Sequence, residues 1–194
     1  MNSTFYFSKK TIPFFFLLLL SLASCERVPE EKQFSGDPLY RTTDPSRLYF
    51  NNIRSNNYYR ERKPNTKIDV YKHRKLKINR EKPLIQPKIV NNWLQDEAYV
   101  FIDKNNYLGG FTDTLTVQWQ AADSTSGFHY LALANKKNQY DFAKAIYESI
   151  EARHNMQVKT QKNGFVSVFD DREERVNFRT TLNDYYKLTE RKGF

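Results

Sequence analysis

The chain has few of the residues that carry most redox, metal and phosphate chemistry. One of its 194 residues is cysteine, Cys25, so no disulfide can form within it and the fold must rest on burial. Its three histidines, His73, His129 and His154, are scattered and lack metal-ligand spacing to one another. His129 shares a strand face with Leu131 and Leu133, which suits a packed or surface histidine. His73 lies in a basic run, and His154 near a helix end, where a cation suits the dipole. Six glycines form no phosphate-cradling loop, and Gly109-Gly110 reads as a turn. There is no nucleophile elbow, no zinc-helix motif, no internal repeat and no low-complexity tract. The longest apolar stretch, Ile12 to Ala23, falls short of the roughly 20 residues a spanning helix needs.

The acidic residues do not fill the gap. Asp170-Asp171-Arg172-Glu173-Glu174 lacks the alternating spacing of a calcium loop and suits a helix N-terminus, where the dipole favours negative charge. Asp96-Glu97 is a pair of carboxylates only by adjacency. The residues therefore name no cofactor and no metal, and they do not support catalysis.

Basic charge and aromatic rings are abundant. The formal net charge is +9, and 15% of residues are Phe, Trp or Tyr. The charge is uneven. Glu26–Tyr40 carries a net of −2, Arg41–Val90 a net of +10, and Asn91–Phe194 a net of −1. A nearly neutral C-terminal half thus follows a strongly basic one, and the large apolar area of the rings supplies material for a core.

At the N-terminus, Lys9 and Lys10 precede the apolar block, which ends in small residues: the layout of an export signal. Leu22-Ala23-Ser24-Cys25 resembles the lipobox of bacterial lipoproteins. An ordinary signal cut after Ala23 fits the small residues too, but it leaves an unpaired thiol near the new N-terminus. The lipoprotein resemblance implies cleavage before Cys25, diacylation of its thiol (palmitate is the expected acyl chain) and, often, acylation of its amino group. It also implies stable membrane attachment without a spanning helix, because two or three chains anchor where one binds marginally. The expected location is the cell envelope, in the outer membrane of a Gram-negative bacterium.

On this reading residues 1–24 are signal peptide. Residues 25–43, with Pro29, Gly36, Pro38 and little apolar periodicity, are a flexible tether. Residues 44–92 form a basic, aromatic-rich arm, partly irregular. Its helix start is Asp44-Pro45-Ser46, with Asp44 as N-cap and Leu48, Tyr49, Phe50 and Ile53 as buried stripe. Beyond that helix Ile68, Val70, Leu76 and Ile78 alternate, and Pro64, Pro83 and Pro87 suit edges and turns.

Residues 93–194 are expected to fold as an α+β domain, β-β-β-α-β-β-α, on a mostly antiparallel sheet. The strands run over Ala98–Ile102, Leu115–Ala121 and Phe128–Leu133, then over a hairpin, Met156–Thr160 and Phe165–Phe169, around Asn163-Gly164. Between them a helix from an Asn138 cap to about Arg153 buries Ala143, Ile146, Tyr147 and Ile150. The last helix starts at Asp171, paired with Glu174, and buries Phe178, Leu182, Tyr185 and Tyr186.

The one functional lead is the basic arm. Arg54, Arg60, Arg62, Lys63, Lys72, Arg74, Lys75 and Lys77 are candidates for binding an anionic partner, with Tyr58 and Tyr59 among them. Export argues against nucleic acid. Anionic lipid, cell-wall or surface polysaccharide, or an acidic protein of an envelope complex fits better. The same pattern also suits a solvated basic layer packed on the C-terminal sheet by its tyrosines. The leading expectation is a non-catalytic, lipid-anchored interaction or assembly subunit of an outer-membrane or secretion complex. The alternatives are an envelope enzyme acting on glycan or lipid through carboxylates such as Asp96 and Glu97, and an immunity or inhibitor lipoprotein.

Overall fold

The computed structural model describes residues 37–75, 81–109, 114–132, 135–161 and 163–190. Among these residues eight strands form two four-stranded antiparallel sheets, and three α-helices accompany them, an α+β fold. The elements are α1 (Asp44–Tyr49), β1 (Tyr58–Lys63), β2 (Ile68–His73), β3 (Ile85–Asn92), β4 (Glu97–Lys104), β5 (Leu115–Gln120), β6 (Ser126–Leu131), α2 (Lys136–Glu151), β7 (Asn155–Thr160), β8 (Gly164–Val168) and α3 (Arg172–Leu188). From β4 onward the order is the expected β-β-β-α-β-β-α.

The first sheet runs β1-β2-β3-β4, the second β6-β5-β7-β8. The basic arm expected at 44–92 and the domain expected at 93–194 therefore share one sheet. β3 pairs with β4 over eight residues, from Ile85 opposite Lys104 to Asn92 opposite Glu97. The described part of the arm supplies three strands of that sheet, β1, β2 and β3, with a π-turn and 3-10 turns ahead of and between β1 and β2. Its alternation puts Tyr58, Tyr71 and Ile89 on the face that also carries Val100 of β4, and all four are buried. Pro87 lies in β3 itself, an inner strand, but beyond Lys72 opposite Lys88, the last β2–β3 partners. There β3 has lost one neighbour, which accommodates a residue without an N–H.

The end of the expected tether is also structured. Asp37 caps a 3-10 turn at Pro38–Tyr40, Tyr40 is buried, and Arg41 forms an isolated bridge with Glu97.

Local signals place most helix ends within a turn. Asn135, not Asn138, caps α2, accepting from the Asn138 N–H at 2.8 Å. Asp171 caps α3 through the Glu173 N–H, while Glu174 pairs with Lys82 instead. At α1 the cap is Thr43 rather than Asp44. Its hydroxyl accepts from the Ser46 N–H and the Ser46 hydroxyl accepts from the Thr43 N–H, a complete capping box. The β7–β8 loop spans three residues, 161–163, and Gly164 opens β8 at φ +66°, the left-handed position such a loop needs.

The core is continuous through both sheets and the helices. Every residue expected in the two long helical stripes is buried: Ala143, Ile146, Tyr147 and Ile150 of α2, and Phe178, Leu182, Tyr185 and Tyr186 of α3. The stripe expected at α1 is different. Phe50 is buried, whereas Leu48, Tyr49 and Ile53 are 63%, 43% and 58% exposed. A π-turn at Phe50–Arg54 directly follows α1. All described residues belong to one compact unit, Phe34–Phe194.

Candidate docking surface

The β1–β2 hairpin gathers most of the basic candidates at an open sheet edge. From Tyr58 to Lys75 there are seven basic and two acidic residues, a net of +5. Five of the six residues of β1 are exposed.

Internal carboxylates position several of these cations. Asp69, buried on β2, accepts from the Arg60 guanidinium at 2.5 Å and from Arg62 Nε at 3.3 Å. That hydrogen bond raises the Arg60 pKa, and the Arg60 guanidinium lies 5.8 Å from the Tyr71 ring centroid. One carboxylate beneath two guanidiniums leaves a surplus positive charge at a fixed place, because the forks cannot turn away without breaking charge-assisted bonds. Lys72 and Lys88 share Asp103 on the neighbouring strands, at 3.0 and 3.9 Å. Arg74 donates to the Tyr58 carbonyl at 2.9 Å and lies over the Tyr59 ring. Lys63 stands 3.9 Å from Glu61, both well exposed, and Lys75 is exposed at the hairpin's exit.

Arg54 lies apart from this group. Its Nε donates to Asp184 of α3 at 2.7 Å, and the Tyr58 hydroxyl donates to the other Asp184 oxygen at 2.6 Å. Asp184 is almost wholly buried. The bond to Asp184 raises the Arg54 pKa, and burial first, then the facing carboxylate, pushes the Tyr58 phenol far above its ordinary range. Arg54 thus fastens the basic segment to α3. Cys25 and Lys77 fall outside the described residues.

The adjacent carboxylates Asp96 and Glu97 serve different partners. Asp96, in the β3–β4 turn at φ +54°, accepts from Arg47 at 2.6 Å. Glu97 is buried, accepts from the Tyr99 hydroxyl and lies 3.6 Å from Lys136. Lys136 also sits over the rings of Tyr40 and Tyr99, at 4.6 and 5.0 Å.

The histidines occupy packed positions. His73 is buried edge-on to Tyr58, and His129 bonds Ser149 of α2 at 2.8 Å. Burial lowers the pKa of both. His154 stacks on Trp119 at 4.6 Å. Among the described residues no group of three or more His, Cys, Asp or Glu residues is placed to hold a metal ion, and no helix is long and apolar enough to cross a membrane.

Asp69, Asp184 and Asp103, which hold the cations, were not anticipated from the sequence. Asp69 carried a signal: it is the only acid between Lys63 and Arg80. Compared with protein-family models, curated proteins and solved structures, the chain matches none.

Proposed function

We propose that the chain is a lipid-anchored envelope protein without catalytic role, which docks an anionic partner through the β1–β2 hairpin. The anchor half rests on the signal and lipobox ending at Cys25. The docking half is carried by one observation: a net +5 on a two-stranded hairpin whose outer strand is the open edge of its sheet. Charge of one sign held on a rigid edge accelerates encounter with an opposite surface and selects against basic partners. Arg60 and Arg62 are oriented by Asp69, while Lys63, Lys67 and Lys75 are exposed on the same hairpin. An acidic envelope protein, within an outer-membrane or secretion complex, is the partner this charge suits best.

The test is an affinity pull-down of the acylated protein from detergent-solubilised envelopes. Substituting Lys63, Lys67 and Lys75 by glutamine removes three charges while sparing the bonds to Asp69, Asp184 and Asp103. A defined set of proteins recovered by the native chain and lost by the triple variant supports the reading. The same set recovered by both overturns it.

A further inference from the structure

Three apolar side chains of the first helical segment point to water: Leu48, Tyr49 and Ile53. They are not the outer surface of a frayed turn. Thr43 and Ser46 close a capping box at the start of α1, and the Ser46 hydroxyl donates to the Leu188 carbonyl at the end of α3, 2.7 Å away. Arg47 is held by Asp44 and Asp96, Phe50 is buried, and Arg54 is locked to Asp184. Tyr49 and Ile53 are four residues apart, so they lie close to one line along the segment, with Leu48 beside them. The buried side of the segment therefore fixes the exposed side.

We infer that Leu48, Tyr49 and Ile53 form an apolar seat by which the folded unit rests on the bilayer that holds its own lipid anchor. This rests on the lipid-anchor reading. Eleven residues separate Cys25 from Asp37, and however they are arranged the connection cannot exceed about 43 Å. α1 begins seven residues after Asp37, so the seat lies immediately after the point where the chain enters the fold. Charge supports the same occupant. The basic groups of this segment, Arg47 and Arg54, are paired to carboxylates, and the acid Asp44 is paired to Arg47. Two aliphatic side chains and a tyrosine with no surplus charge suit the headgroup boundary, where apolar bodies are buried and a hydroxyl stays wet. Anchoring makes docking effectively intramolecular, so a small seat suffices. Attachment by the seat depends little on salt, unlike docking by the hairpin.

Cys25 is the only cysteine, and acylation consumes its thiol, so a cysteine introduced elsewhere can be labelled alone. The full-length acylated Ile53→Cys protein, carrying an environment-sensitive fluorophore, is reconstituted in phosphatidylcholine vesicles with lipids bearing shallow quenchers. A label at Asn163→Cys, in the β7–β8 loop, is the control. The seat predicts blue-shifted, quenched emission at position 53 at low and high salt, and water-like emission at position 163. Adding Leu48→Ser lowers the docked-to-undocked ratio at position 53 roughly tenfold. Water-like emission at position 53 on a protein whose mass confirms acylation overturns the seat and leaves the anchor standing. An unacylated Cys25 overturns the anchor and the seat with it. Quenching that disappears at high salt overturns the apolar seat in favour of electrostatic attachment.

Discussion

The two sheets have the same number of strands but are built from different chemistry. In β1–β4, ten of 28 residues are charged; in β5–β8, one of 23 is, Lys159. The first sheet is laced with ion pairs, and among the described residues no ion pair involves β5–β8. Their edges differ too. β1 presents Arg60, Glu61, Arg62 and Lys63, a composition that blocks uncontrolled strand pairing. On the opposite edge, the Ile102 N–H of β4 donates to Gln139 of α2 at 2.8 Å. The second sheet relies on burial. Val117, Val158, Met156 and Val168 form its inner face, and Trp119 stacks between His154 and His129 above Gly127. One sheet is thus tied by charge to the rest of the fold and has charge to spare for a partner; the other is held by packing.

This contrast can be broken most forcefully at Asp184. Replacing it by alanine strands the Arg54 guanidinium and the buried Tyr58 hydroxyl, and the expected loss is about 3 kcal/mol of unfolding free energy by denaturant titration. An unchanged midpoint would mean that packing alone holds the first sheet to α3. In the second sheet the corresponding break is steric. A Cβ at Gly127 would lie 2.8 Å from the Trp119 ring, so Gly127→Ala costs about 2 kcal/mol and disturbs the near-ultraviolet circular dichroism of the indole, with no dependence on salt.

Acid acts on both sheets, because each holds one histidine whose pKa is lowered by desolvation, the buried His73 and the half-buried His129. The unfolded chain takes up these protons near the ordinary value of 6.5, while the folded chain resists them. Stability is therefore fully present above that value and falls as the pH drops below it. His73 faces Asp184, which favours its protonation, and Lys75 and Arg54, which oppose it; His129 faces Glu148 and His154 in the same opposed senses. His129→Asn should flatten the pH profile of stability between neutrality and acid, and an unaltered profile would mean that His129 contributes nothing to the acid response. The smallest effect belongs to the exposed Lys63–Glu61 pair: Lys63→Gln should shift stability by less than about 0.5 kcal/mol while weakening partner capture.

The elements whose cues are local were legible in the sequence. The 3.6-residue stripes of α2 and α3, the alternation of Leu115, Val117 and Trp119, and the Asn163-Gly164 hairpin each express a period or a turn that neighbouring residues specify. In the basic segment the alternation of Ile68 and Val70 is legible but its place in the sheet is not: the buried carboxylate of Asp69 and the ring of Tyr71 make sense only beside β3, which a run of lysines and arginines does not announce. Which acid meets which cation depends on pairing between distant segments: Asp184 lies 130 residues from Arg54. The α1 stripe failed for the opposite reason, because periodicity reports an apolar face without saying what covers it.

The most direct test of the lipid-anchored reading is the mass of the N-terminal peptide of the mature protein recovered from membranes. Lipid anchoring predicts a peptide beginning at Cys25 and carrying two or three acyl chains. A peptide beginning elsewhere, or a Cys25 with a free thiol and amine, would contradict it.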